Sequence, residues 1–198
     1  MRRAVLAVLS LVAVVAGCTS TGGTAGPATT TTGGSTTTRS SAPDGSGMPP
    51  ISGPELDLPK SGACELLKAD QLATHDVTKP GEVTTDAAGE TCQWRPQDRV
   101  LGTSFSATIL ENTDGIAGYY ENRDDYAEFE EIQVAGYPGF NASKTDLKSG
   151  SCTTGVGVAD GRGFLVQSIV NDEKLPEYKN PCSVSGAIAE TIVGNLKG

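Results

Sequence analysis

The chain has 198 residues, with 24 acidic against 15 basic side chains and a single histidine, for a net charge of −9. Residues 1–58 carry Arg2, Arg3 and Arg39 against Asp44, Glu55 and Asp57, so the whole acidic excess lies in residues 59–198. A domain of that sign lacks the basic footprint through which nucleic acid is bound, and anionic lipid does not attract it as a whole.

At the amino terminus, Arg2 and Arg3 precede an uncharged apolar run from Ala4 to Ala16. As a helix this run would span about 20 Å, short of the roughly 30 Å needed to cross a bilayer, so it reads as the h-region of a secretory signal. Val15-Ala16-Gly17-Cys18 follows and resembles the lipobox of bacterial lipoproteins. The resemblance implies removal of residues 1–17 and attachment of a diacylglyceryl group to Cys18. One acyl chain anchors marginally, at about 0.8 kcal/mol per buried methylene, whereas two or three hold firmly. The expected partner is therefore the membrane, through the lipid on Cys18, and the expected location is its extracytoplasmic face. An ordinary cleaved signal with a chance cysteine is the alternative.

Residues 18–58 are rich in Thr, Ser, Gly and Pro, with few apolar side chains to bury. Such composition cannot offset the entropy of ordering and reads as a flexible tether. Residues 59–198 have the size of one domain. The five cysteines are Cys18, Cys64, Cys92, Cys152 and Cys182. Lipidation of Cys18 makes the remainder even, and an oxidising compartment favours two disulfides among the other four. Of the three pairings, Cys64–Cys92 and Cys152–Cys182 join nearest neighbours, and each would contribute about 3–4 kcal/mol. The other pairings stay open. A zinc site is the rival reading, weakened by the lack of a Cys-x-x-Cys pair.

Within the domain, Ala63 to Thr74 places Leu66, Leu67 and Leu72 at helical spacing, which predicts a short helix. Thr91–Arg95 and Ser104–Leu110 alternate as strands do. Asp114 can cap a second helix with Ile116, Tyr119, Tyr120 and Arg123 on one face. Glu131–Ala135 reads as a strand ending in a turn at Gly136-Tyr137-Pro138-Gly139. Cys152–Ala159 and Gly163–Val170 flank Asp160-Gly161, a hairpin signal, with Phe164, Val166 and Val170 on one face and Gln167 on the other. The final helix is capped by Asn180, with Pro181 in its first turn and Val184, Ile188, Ile192 and Leu196 as an apolar stripe. The expected fold class is α+β: an antiparallel sheet with two or three helices packed on it and two disulfides.

Several segments in this order carry a resemblance: Ser61-Gly62-Ala63-Cys64-Glu65-Leu66-Leu67, Cys92-Gln93-Trp94, Val134-Ala135-Gly136-Tyr137-Pro138, Ser151-Cys152 and Asn180-Pro181-Cys182. Together they resemble an uncharacterised family of actinobacterial lipoproteins, the domain of unknown function 3558, over roughly residues 60–197. The resemblance implies a small envelope α+β domain and carries no functional residues. A Mog1/PsbP-like arrangement is the fold-level analogy, which transfers no function.

Chemistry is thin. Any Ser-His or Cys-His mechanism must run through His75, which follows the first predicted helix, where histidine more often meets terminal carbonyls or solvent. Glu121, Asp124, Asp125, Glu128, Glu130 and Glu131 lack the spacing of a calcium loop and read foremost as a solvated face, with divalent-cation binding and a docking surface as alternatives. Gly155-Val156-Gly157 lies in the predicted hairpin, the wrong context for a nucleotide loop. Tyr119, Tyr120, Tyr126, Tyr137 and Trp94 are core candidates before they are pocket candidates. No cofactor, metal site or catalytic residue is expected. The leading expectation is a non-enzymatic binding or sensing module that meets an envelope protein or small ligand. The alternatives are a carrier of a small apolar envelope molecule and an envelope hydrolase.

Overall fold

The computed structural model describes residues 47–110 and 115–198. The signal segment, Cys18, the tether as far as residue 46, and Asp114 with its expected capping role all lie outside the described residues.

Seven strands are present: β1 Glu82–Thr85, β2 Gly89–Trp94, β3 Thr103–Leu110, β4 Glu128–Val134, β5 Tyr137–Ser143, β6 Ser151–Ala159 and β7 Arg162–Val170. They form one antiparallel sheet in the order β1-β2-β3-β7-β6-β5-β4. Two meanders, β1–β3 and β4–β7, join where β3 pairs with β7 from Thr103↔Val170 to Leu110↔Gly163. The helices are α1 Ala69–Ala73, α2 Ala117–Glu121 and α3 Cys182–Lys197. The fold is thus α+β, with both expected disulfides formed.

Alternation along each strand assigns the two faces. One face carries Phe105, Ile109, Phe164, Val166, Val156 and Val158 into the main core, where Ile188, Ile192 and Val193 of α3 meet them. The other face is covered at one end by α2, whose Ile116 and Tyr120 pack with Leu110, Phe140 and Ala142. The α3 stripe includes Ser185 and Ala189 as well, while Val184 and Leu196 lie at its margins. Ser185 is accommodated because its hydroxyl pairs with Thr154 across the helix–sheet contact at 2.7 Å.

Several elements differ from the sequence reading. The helix expected over 63–74 is a 3-10 turn at Ala63–Leu66 followed by α1, because Leu67 and Lys68 are extended. That break lets both Leu66 and Leu67 bury. The tight turn after β4 is Ala135-Gly136, with φ of 49° and 90° between paired Val134 and Tyr137, and Tyr137-Pro138-Gly139 continue as β5. These two φ values suit the sense of twist of a two-residue hairpin. Pro138 is tolerated because the ladder with β6 begins only at Gly139. Pro181 occupies the cap position of α3; Asn180 contributes its carbonyl, which accepts from the Ser183 amide and hydroxyl. Arg123 stands outside α2, in an exposed 3-10 turn.

Ordered packing also starts earlier than composition suggests. The Leu56 amide donates to the Val158 carbonyl at 3.0 Å, and the Tyr137 hydroxyl donates to the Pro54 carbonyl at 2.6 Å. Arg162 pairs with Asp57 at 3.1 Å and Glu55 at 3.4 Å. Buried Leu56, with partly buried Ile51 and Leu58, supplies the apolar anchors of residues 47–58. The folded unit therefore includes residues assigned by composition to the tether.

Candidate functional site

Cys64–Cys92 and Cys152–Cys182 have Cα separations of 5.0 and 5.1 Å. The first ties the 3-10 turn at 63–66 to β2, and the second ties the start of α3 to β6. These four sulfurs are structural, and Cys18 lies outside the described residues.

His75 follows α1, whose end closes through Val77 N–H to Leu72 O and Asp76 N–H to Ala73 O, with Asp76 at φ 57°. This is the Schellman pattern, and His75 at its cap is half-buried. Its ring meets Phe105 edge-on at 5.2 Å, and burial holds its pKa below the ordinary value of 6.5. The imidazole rests on carbon where a triad histidine would hold a hydroxyl or thiol. The acidic side chains at 121–131 are all exposed, spread along the end of α2, the following turn and edge strand β4. Among the described residues no group of three or more His, Cys, Asp or Glu side chains converges as a metal site. Gly155 is a packing position, since a Cβ there would strike the Phe140 ring. Trp94, Tyr120 and Tyr137 are core residues, while Tyr119 and Tyr126 flank the smaller cluster.

A different constellation stands at the corner where β1 begins and β2 ends. Thr78, Lys79, Pro80, Glu82, Gln93, Arg95, Pro96, Gln97 and Arg99 line a cleft of about 50 Å³. Arg95 contacts Glu82 and Gln93 along the strand pair. Lys79 and Arg99 have no acidic partner among the described residues.

The loop carrying Arg99 is built rather than merely exposed. The Asp98 carboxylate accepts from the amides of Val100 at 2.9 Å and Leu101 at 3.0 Å, and the Asp98 carbonyl accepts from Gly102. The amides of Leu101 and Val100 hold this carboxyl below the usual range. Gly102 is required, because a Cβ there would strike Asp98 and Pro96. Asn171 fixes the Gly102 carbonyl at 2.8 Å, and the Gln97 amide donates to Asp76 at 3.2 Å. The loop tip presents Val100 at 77% and Leu101 at 52% exposure.

These residues offer donors, positive charge and an apolar rim. They offer no nucleophile with an adjacent base. Sequence reasoning did not single them out, because Lys79, Arg95 and Arg99 are scattered among acids and only pairing of β1 with β2 gathers them. One signal was available: Arg99-Val100-Leu101 places two apolar residues beside a cation in a stretch bounded by Pro96 and Gly102.

An antiparallel sheet braced by two disulfides, with helices on both faces and a basic corner, defines an α+β domain. The chain matches, over residues 13–195, the family described as Protein of unknown function (DUF3558), and it belongs to that family. No curated protein and no solved structure matches it.

Proposed function

We propose that this protein is a lipid-anchored binding module on the extracytoplasmic face of an actinobacterial membrane, acting through the basic corner beside β1. The observation that carries the binding role is the corner itself. In a domain of net −9, the unpaired cations Lys79 and Arg99 and the exposed side chains of Val100 and Leu101 meet at a corner whose loop is fixed by hydrogen bonds. Exposed apolar side chains gathered beside polar ones are a feature of interaction sites.

The anchor is supported by Arg2, Arg3, the apolar run and Val15-Ala16-Gly17-Cys18, and the family match extends across Cys18. Residues 47–58 dock at the β6–β7 turn, on Val158 and Arg162, whereas the corner lies at the opposite end of the strands. The carrier reading asks for several hundred Å³ between α3 and the sheet. That layer is filled by Ile188, Ile192 and Val193 against the strands, which favours a surface contact.

Fractionation of cells tests the anchor. Cys18→Ala should move the protein from the membrane to the soluble fraction. Retention at the membrane would contradict lipidation as the means of attachment.

A further inference from the structure

We infer that the cleft beside β1 takes the oxyanion headgroup, phosphate or carboxylate, of an amphiphile whose apolar part rests on Val100 and Leu101. This names a ligand class for the contact surface proposed above and rests on that reading.

The size of the cleft sets the first limit. About 50 Å³ accommodates one small polar group and falls well below the roughly 300–1,000 Å³ of pockets that enclose a whole ligand. Charge sets the second. The cleft has four ionisable side chains: Arg95 and Glu82 satisfy each other, and Lys79 and Arg99 are unpaired. The nearby Asp98 carboxylate keeps its charge and is engaged by the Val100 and Leu101 amides. The corner therefore sets Lys79, Arg95 and Arg99 against Glu82 and Asp98, and Lys79 and Arg99 line the cleft without an ion-pair partner, together with Gln93, Gln97 and Thr78. Lysine and arginine bind oxyanions as a point charge and a planar fork respectively, and amides complete the donor set.

The rim sets the third limit. Val100 and Leu101, which follow Arg99 directly, are two of the five exposed large hydrophobic side chains among the described residues. Of the other three, Ile169 and Leu175 lie at the same end of the strands, at and just after the end of β7. A bare inorganic anion leaves this rim in water; an amphiphile covers it. The opposite edge of the sheet differs, since β4 carries exposed Glu128, Glu130 and Glu131 and repels such a ligand.

The test uses the chain from residue 18 onward with Cys18→Ser, which retains every described contact. Inorganic phosphate and hexyl phosphate are titrated by calorimetry. Hexyl phosphate should bind about tenfold or more tightly than phosphate. Arg99→Ala and Lys79→Ala should each weaken both ligands several-fold, while Lys174→Ala does not. The pair Val100→Ser with Leu101→Ser should abolish the hexyl advantage and keep phosphate binding. Sedimentation with phosphatidylglycerol or phosphatidylcholine vesicles separates the sources: binding to the anionic vesicles alone, lost in Arg99→Ala, identifies a bilayer headgroup, and binding of hexyl phosphate without vesicles identifies a discrete amphiphile. Equal affinity for phosphate and hexyl phosphate, or an Arg99→Ala chain with unchanged circular dichroism and undiminished binding, overturns the inference. If these titrations fail while a photoreactive residue at position 100 still captures a partner in cells, the ligand class is rejected and the binding role stands. Failure of both rejects both.

Discussion

His75 shows how the environment of one residue decides between chemistry and packing. Its ring lies edge-on to Phe105, and burial holds its pKa below 6.5. The unfolded chain takes up this proton near 6.5, whereas the native chain takes it up only at lower pH. Between the two values the unfolded state binds more protons, so stability rises with pH through that window. The contribution is complete above 6.5 and is lost on acidification. Urea midpoints at pH 7.5 and 5.5 should therefore fall further for the wild type than for His75→Gln; equal falls would deny the buried neutral imidazole. Thr154 is a second case. Its hydroxyl reaches Asn141 at 2.8 Å and Ser185 at 2.7 Å, with no water-exposed surface left. Thr154→Val strands both partners and should cost about 1–3 kcal/mol by chemical denaturation. That Thr154 faces inward follows from strand alternation with Cys152 and Val156. That it meets Ser185 does not, because the helix register relative to the sheet is a tertiary property.

Among the elements, the β6–β7 hairpin and α3 are legible in the sequence, and β1 and β5 are not. Asp160-Gly161 sits between alternating runs, and Gly161 adopts φ 62° in the turn. Strand β1 has no buried position, so no alternation marks it. Strand β5 begins Tyr-Pro-Gly, which has turn chemistry locally, yet it is held by β4 on one side and β6 on the other. Its Phe140 fills the space that Gly155 leaves open. Gly155→Ala should overpack this contact and destabilise by about 1–3 kcal/mol. Adding Phe140→Leu should recover part of that loss, giving a coupling of at least about 0.5 kcal/mol; strict additivity would show that the two residues are not in contact. The split of the 63–74 segment was hidden for a related reason. Its spacing fits a helix throughout, but the backbone at Leu67 is extended and its side chain is buried.

For the molecule as a whole, the favoured nearest-neighbour pairing of the four domain cysteines is the one formed, and the structure explains why each bridge sits where it does. Each ties a short or terminal helix to a strand across 28 or 30 residues of sequence. Cys152→Ser with Cys182→Ser should cost about 2–5 kcal/mol and loosen the start of α3. The candidate site was the least legible part, since Lys79, Arg95 and Arg99 become neighbours only through strand pairing and the Asp98 turn. The central claim is that this corner is the contact surface of an anchored binding module. Photo-cross-linking in intact cells tests it most directly, with the photoreactive residue at Val100 or, as a control, at exposed Glu190 on α3. A discrete adduct from position 100, absent from position 190 and lost when Arg99→Glu is added, is the predicted result. Adducts from position 190 alone, or identical adducts from both, would contradict it.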